Sequence, residues 1–219
     1  MKSPHIGGIH SIKVINDQRY VNVVLQSLSA LKTTKDIFLV QNFPFIKDTN
    51  ILRQYSSLLD TLYNTLNDGC SLDIIDTYNE YAQKSNEDHS LIPKPYNFLV
   101  YFLQFLDDDC IKALNIQREE QNNIFDDIDS VIENIYHCFQ SNKVSLISEN
   151  YFFSEIMNNN CQKCDSSQYQ WKFNKTVKID MNKYIEEKSE PTCVTDLLKY
   201  YTSQLKSTCQ NCGSETETQ

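Results

Sequence analysis

Hydrophobic residues repeat at helical spacing from residue 20 to residue 140. The strongest pattern covers residues 51–66, where apolar side chains fall three and four positions apart and Gly69 follows as a stop signal. The same spacing predicts further helices over residues 20–31, 73–83 and 124–139, with a polar loop over residues 84–95. Residues 96–106 are apolar almost all round, which predicts a buried helix with residues 110–114 as a candidate extension. The pattern therefore indicates a helical part over residues 20–140, preceded by an N-terminal loop over residues 1–19.

The helix predicted at residues 20–31 is amphipathic and follows a loop of mixed polarity. Its buried face is predicted to consist of Tyr20, Val23, Val24, Leu28 and Leu31, with the polar residues Asn22, Gln26 and Ser29 between them. Arg19 directly precedes this helix. A helix N-terminus favours a thiolate or a developing oxyanion, because its N–H groups are unpaired and its dipole end is positive. The arginine therefore stands where a nucleophile would be favoured.

The hydrophobic period changes after residue 141. Residues 144–148 and 151–157 have strand-like patterns, and residues 169–180 alternate between apolar and polar side chains over twelve positions. Residues 193–205 predict a short helix that buries Leu197, Leu198 and Tyr201. A β-rich second part over residues 141–219 thus follows the helical part, and the fold class is predicted to be α+β.

The composition is acidic, with a formal net charge of -9 and a pI near 4.9. No cluster of Lys or Arg is longer than two residues, which argues against direct binding of nucleic acid and favours a basic protein partner. No apolar run approaches the roughly 18 residues that a membrane-spanning helix needs, and the N-terminus has no apolar signal core. We expect a protein of the cytoplasm or nucleus that does not enter the membrane.

Four of the eight cysteines form two C-x-x-C pairs, Cys161 with Cys164 and Cys209 with Cys212. Each pair can direct two thiolates at one ion, and two pairs complete the tetrahedron that zinc prefers. We predict a structural zinc site with no position left open for water; the alternative is four thiols without metal. The remaining cysteines have no such spacing and are expected to be buried free thiols: Cys70, Cys110, Cys138 and Cys193.

Three blocks of the chain match a known motif set in its order. Gly8, Ile9 and residues 20–28 match the two ends of G-L-x-N-x-G-N-T-C-Y-M-N-x-x-L-Q-x-L, and residues 97–106 match E-F-L-x-x-L-L-D-x-L. The C-x-x-C pairs and residues 194–202 form the third block. Together they resemble the ubiquitin-specific protease family of deubiquitinases. The resemblance implies a papain-like fold with a helical thumb and zinc-bearing fingers, and with an incomplete palm, since the sequence stops at Gln219.

The resemblance also implies that the active site is degenerate. Arg19 falls at the nucleophilic cysteine, and the asparagine that would help to hold the oxyanion falls near Ser11 or Val14. A guanidinium is permanently protonated and has no acceptor lone pair, so it cannot replace a thiol. The four histidines are interpreted as loop or surface residues rather than bases: His5, His10, His89 and His137.

Three functions follow from these observations. The first is a pseudo-deubiquitinase that binds ubiquitin or another protein without cleaving it, with the fingers strands and the acidic residues 107–109 as candidate contacts. The second is an N-terminal fragment of an active cysteine-type deubiquitinase that hydrolyses ubiquitin isopeptide bonds. The third is a scaffold in a spliceosomal complex, because Ile12–Lys13 with Asn16 and Asp17 is similar to the inactive spliceosomal members of the family.

Overall fold

The computed structural model describes residues 12–13, 19–40, 51–64, 69–70, 74–77, 79–80, 95–117, 123–141, 143–188, 193–203, 206–209 and 211–218. The chain divides into two compact units. The first consists of Met1–Ile116 with Ser145–Asn150, and the second of Gln117–Val144 with Tyr151–Gln219. The first unit is mainly helical and the second combines helices with a four-stranded sheet, so the α+β prediction is confirmed.

The principal elements follow one another along the chain. Up to residue 114 they are β1 (Ile12–Lys13), α1 (Arg19–Ala30), α2 (Lys32–Lys35), a π-helical turn (Asp36–Val40), α3 (Ile51–Asn64), β2 (Gly69–Cys70) and α4 (Pro95–Leu114). They continue with α5 (Ile128–Gln140), α6 (Leu146–Tyr151), β3 (Phe153–Cys161), β4 (Ser166–Asn174), α7 (Met181–Lys188), α8 (Val194–Ser203), β5 (Lys206–Thr208) and β6 (Glu215–Thr218). None of the helices in these described ranges is long and apolar enough to cross a membrane.

Aromatic and aliphatic side chains from three helices form the core of the first unit. Helix α4 packs against α1 and α3. The ring of Tyr55 on α3 meets Phe38 and Phe102 edge-on, with centroids 5.1 and 5.2 Å apart, and Phe98 stacks on Phe102 at 5.4 Å. The predicted helices at residues 20–31 and 96–106 are confirmed, and the latter continues to Leu114. The helix predicted at residues 51–66 is confirmed as far as Asn64, and the following residues lie outside the described ones.

The buried face of α1 differs from the predicted one. Its apolar core positions are Val21, Val24, Leu25 and Leu28, which follow the three-and-four spacing of one helix face. Val23 is 58% exposed, because it lies on the opposite side of the helix. Two polar residues that were expected between the apolar positions are also buried, Asn22 and Ser29. Both remain satisfied by hydrogen bonds to backbone carbonyls.

Two acidic residues near the C-terminal end of α4 are buried, and they anchor other elements of the first unit. The Asp109 carboxylate accepts a hydrogen bond at 2.9 Å from the backbone N–H of Ile51, the first residue of α3. Asp107 accepts hydrogen bonds from the hydroxyls of Ser145 and of Ser148, the latter at 2.7 Å. The prediction that this acidic run contacts a partner is wrong for both aspartates, because neither is accessible.

Helix α6 replaces the strand that was predicted for residues 144–148. The Ser145 hydroxyl accepts a hydrogen bond at 3.0 Å from the backbone N–H of Ser148, which caps the first turn of the helix. Ile147 is buried in the same turn. The alternation of serine and apolar residues resembles a strand in sequence, but the cap and the contact with Asp107 select a helix.

The sheet of the second unit has the strand order β4-β3-β6-β5, and all of its neighbours are antiparallel. Strands β3 and β4 form a hairpin paired from Phe153 with Asn174 to Cys161 with Ser166. The strand predicted at residues 151–157 is confirmed and extends further, to Cys161. The one predicted at residues 169–180 begins earlier and ends at Asn174, after which the chain leaves the sheet.

Helix α5 packs on β4 and provides a small core in the second unit. Val131 and Cys138 on the helix are buried against Trp171, whose indole N–H donates a hydrogen bond at 2.9 Å to the Asn134 side chain. The helix predicted at residues 124–139 is confirmed from Ile128 onward. Helix α5 belongs to the second compact unit, which begins at Gln117.

Helices α7 and α8 are joined by an edge-to-face contact between Tyr184 and Tyr200, with ring centroids 4.9 Å apart. The hydrophobic pattern did not predict α7, which begins after Asp180, whose carboxylate accepts from the first backbone N–H groups of the helix. Helix α8 confirms the prediction for residues 193–205. Its buried residue is Tyr200, whereas Leu198 is 44% exposed, contrary to the predicted face.

Candidate metal centre and candidate active-site helix

Four cysteine thiols converge at one end of the second unit's sheet. Cys161 ends β3, Cys164 lies in the turn before β4, Cys209 follows β5 and Cys212 lies in the turn before β6. All four sulfur atoms lie within 4.8 Å of one another. A tetrahedral zinc ion with Zn–S bonds of about 2.3 Å would have sulfur–sulfur distances of about 3.8 Å. The distances of 3.4 Å between Cys161 and Cys212 and 3.6 Å between Cys164 and Cys209 are compatible with such a site.

The two turns that carry these cysteines share a backbone feature. The residue after the second cysteine of each pair has a positive φ, 53° at Asp165 and 70° at Gly213. The second turn is closed by hydrogen bonds of 2.8 Å from the Gly213 N–H to the Cys209 carbonyl and from the Cys209 N–H to the Ser214 carbonyl. A β-carbon on Gly213 would have open space, so its backbone conformation accounts for the glycine there.

Two serine hydroxyls join the two cysteine pairs. The Ser166 hydroxyl lies 3.1 Å from the Cys164 sulfur and 3.6 Å from that of Cys209, and the Ser214 hydroxyl lies 3.3 Å from Cys161 and 2.8 Å from Cys212. Each serine therefore contacts one cysteine from each pair. The C-x-x-C spacing did not identify these serines, although the sequence repeats C-Q-x-C-x-S in both segments.

Neighbouring thiols of the cluster have different pKa values because they interact with one another and with nearby hydroxyls. The Ser214 hydroxyl and the backbone N–H of Cys164 lower the pKa of Cys161 to about 6. The Ser166 hydroxyl acts in the same direction on Cys164, but its neighbouring thiols and desolvation raise the pKa of Cys164 to about 11. Thiolates this close to one another repel. A divalent cation removes this conflict, since coordinated thiols are deprotonated, and the donor set fits zinc.

The prediction that the other four cysteines are buried holds for some of them and not for others. Cys110 and Cys138 are buried and form no disulfide, as predicted. Burial raises the pKa of Cys110. Cys193 is exposed at the start of α8, so the prediction is wrong there. The side chain of Cys70 lies outside the described residues.

Arg19 is the first residue of α1 and is exposed. A guanidinium therefore lies at the N-terminus of this helix, and its equivalence to the nucleophile position stays a prediction. Ser11, Val14 and residues 16–18 lie outside the described residues, so the candidate oxyanion region stays a prediction. Within the described ranges the only histidine is the exposed His137, whose Nδ1 lies 3.3 Å from the Ser141 hydroxyl in the second unit.

Asn22 fixes the strand that precedes α1. Its side-chain amide donates hydrogen bonds to the carbonyls of Ile12 at 3.1 Å and Lys13 at 3.0 Å. These two residues form β1, which pairs in parallel with β2 through Gly69 and Cys70. The helical pattern placed Asn22 among solvent-facing positions, so this role was not predicted. The available signal was its match to the asparagine of the Y-M-N step in the family motif.

Comparison with known proteins places this arrangement in a fold class. No protein-family model matches the chain, and no curated protein sequence matches it. Solved structures of the Saccharomyces cerevisiae PAN2 pseudoubiquitin-hydrolase are similar over 97% of the chain, one with a TM-score of 0.55 at 16% identity. A second, of its pseudoubiquitin-hydrolase-RNase module, has a TM-score of 0.55 at 14% identity. The chain has a ubiquitin-hydrolase-like fold.

The likeness concerns the fold, because the sequence identity is low. The chain spans 49% of the length of the first PAN2 structure and 32% of the second. Both are described as pseudoubiquitin-hydrolases, and this chain is similar in fold to such a domain.

Proposed function

We propose that this chain is a non-catalytic, pseudo-deubiquitinase-like domain, distantly related to ubiquitin-specific proteases, that binds ubiquitin or another protein without cleaving it. The observation that supports the proposal most strongly is Arg19. It occupies the exposed first position of α1, where the family motif has its cysteine nucleophile. Nucleophilic catalysis needs a thiolate and a base within hydrogen-bonding reach, and a guanidinium can serve as neither.

The four-cysteine cluster has a structural role in this proposal. Cys161, Cys164, Cys209 and Cys212 would hold one zinc ion, which would tie the β3–β4 turn to the turn between β5 and β6. Four thiolates complete the tetrahedral coordination of zinc and leave no site for a reactive water. The zinc would therefore support the sheet that presents the binding surface.

The net negative charge of the chain favours a partner protein with a basic surface. The net charge is -9. The family resemblance implies ubiquitin as a partner, and its binding face is basic around an apolar centre. Because Asp107 and Asp109 are buried, the proposed contacts lie on strands β3 and β4 and on exposed acidic residues elsewhere. We place the protein in the cytoplasm or nucleus on this proposal.

Two measurements test the proposal. Isotope-labelled ubiquitin titrated with the full chain should show resonance shifts at low salt that weaken at high salt. A ubiquitin-derived suicide probe should label none of the eight cysteines, with an active deubiquitinase as the positive control. Labelling of any cysteine would show an active protease. Absence of ubiquitin shifts at low salt would contradict ubiquitin binding, and co-purification with spliceosomal proteins would then favour a scaffold.

A further inference from the structure

Helix α5 carries a row of large hydrophobic side chains that face away from the core of the second unit. Four of its residues are between 36% and 62% exposed: Ile128, Ile132, Tyr136 and Phe139. Their spacing of four, four and three residues puts them on one face of the helix. We call these four residues the α5 stripe.

The α5 stripe is distinct from the face that packs on the sheet. Val131 and Cys138 are buried against Trp171, and they lie to one side of the stripe on the helix surface. At the C-terminal end of the stripe the Phe139 ring meets Phe173, which packs against this core, edge-on at 5.8 Å. Single exposed apolar residues are common, but a continuous row on one helix face is typical of an interaction site.

Acidic residues flank the α5 stripe. Asp129 and Glu133 lie in the row next to the stripe on the helix surface, and Asp126 and Asp127 directly precede the helix. All four residues are exposed. Residues 123–141 contain no Lys or Arg. The α5 segment therefore combines an apolar row with acidic side chains, and it is complementary to an apolar row bordered by basic residues.

We propose that the α5 stripe binds a basic amphipathic helix of a partner protein. This inference rests on the proposed role as a non-catalytic binding domain and names a surface for it. A thirteen-residue helix is about 20 Å long, which matches three to four turns of a partner helix. A second copy of this chain is a poorer occupant, because each copy has a net charge of -9.

The test uses a designed peptide and the full chain. The probe is a fluorescent fifteen-residue helical peptide with leucines on one face and lysines beside them; a scrambled peptide and a glutamate analogue are its controls. Fluorescence anisotropy should show binding of the lysine peptide alone. The double variant Ile132→Ser with Tyr136→Ser should bind at least tenfold more weakly. Ile185→Ser on α7, where the isoleucine is 47% exposed, is the matched control and should bind normally.

Charge is tested separately. Asp129→Lys with Glu133→Lys should weaken binding and reduce its salt dependence, whereas Glu149→Lys on α6 should change neither. Equal affinity of the stripe variant and the native chain would overturn the inference, as would a dimer that Ile132→Ser dissociates. Ubiquitin titration of the same samples separates the two proposals. Ubiquitin binding without peptide binding refutes only this inference, and peptide binding without ubiquitin binding refutes only the ubiquitin part of the proposed function.

Discussion

Ser166 and Ser214 occupy equivalent positions, each two residues after the second cysteine of a C-x-x-C pair. Their hydroxyls contact thiols of both pairs at 2.8 to 3.6 Å. A hydroxyl that donates to a thiolate stabilises the ionised form and orients it, as outer-shell partners do in metal sites. The serines are therefore part of the candidate metal centre, although they are not ligands.

Replacing either serine should weaken zinc binding. Ser166→Ala and Ser214→Ala are each expected to lower zinc affinity by about 10- to 100-fold, the range found for outer-shell partners. Ser167→Ala is the matched control, because that hydroxyl donates to Asn160 at 2.8 Å and to none of the thiols. Competition with a chromogenic chelator measures the affinities. Equal values for all three variants would show that the hydroxyls play no part in zinc binding.

At the scale of elements, the contact between α4 and α3 illustrates how a polar group organises an apolar core. The Asp109 carboxylate lies at the N-terminus of α3, where a negative charge interacts favourably with the positive end of the helix dipole. The residue is 5% exposed, so the hydrogen bond forms away from water. The start of α3 is thus fixed by a residue 58 positions further along the chain.

Removing this contact should destabilise the first unit. Asp109→Ala is expected to lower the free energy of unfolding by about 2 to 3 kcal/mol, because a hydrogen bond to a charged group is lost and the Ile51 N–H stays buried without it. Asp108→Ala is the control. Its side chain is only partly buried and accepts from Gln104 within the same helix. Urea unfolding of the two variants provides the measurement, and equal midpoints would contradict the anchoring role.

The sequence predicts an element well when the contacts that determine it are close together along the chain. Helices α3 and α4 follow from their own apolar spacing, and the four cysteines from their C-x-x-C spacing. Helix α6 was missed because its cap works together with Asp107, 41 residues from Ser148. The burial of the Asp107 carboxylate could not be predicted either, since a run of three aspartates normally indicates a solvated helix end. Tertiary hydrogen bonds thus account for these two failures.

At the scale of the whole molecule, metal binding should determine the stability of the second unit. Free zinc at about 1,000 times its Kd contributes about 4 kcal/mol, which corresponds to about 10 °C in a chain of this size. A chelator should therefore lower the melting temperature of the native chain by about this amount. Cys161→Ser should melt at the lower temperature with or without chelator. A native chain that melts unchanged in chelator would argue against a structural zinc.

The segment Ser145–Asn150 belongs to the first unit, although the chain on both sides belongs to the second. As the protein emerges from the ribosome, α4 is complete long before the two hydroxyls that reach Asp107 have been synthesised. All of α5 must be translated in between. The first unit therefore finishes folding only after part of the second has been made, so the two units mature in an interleaved order and not one after the other.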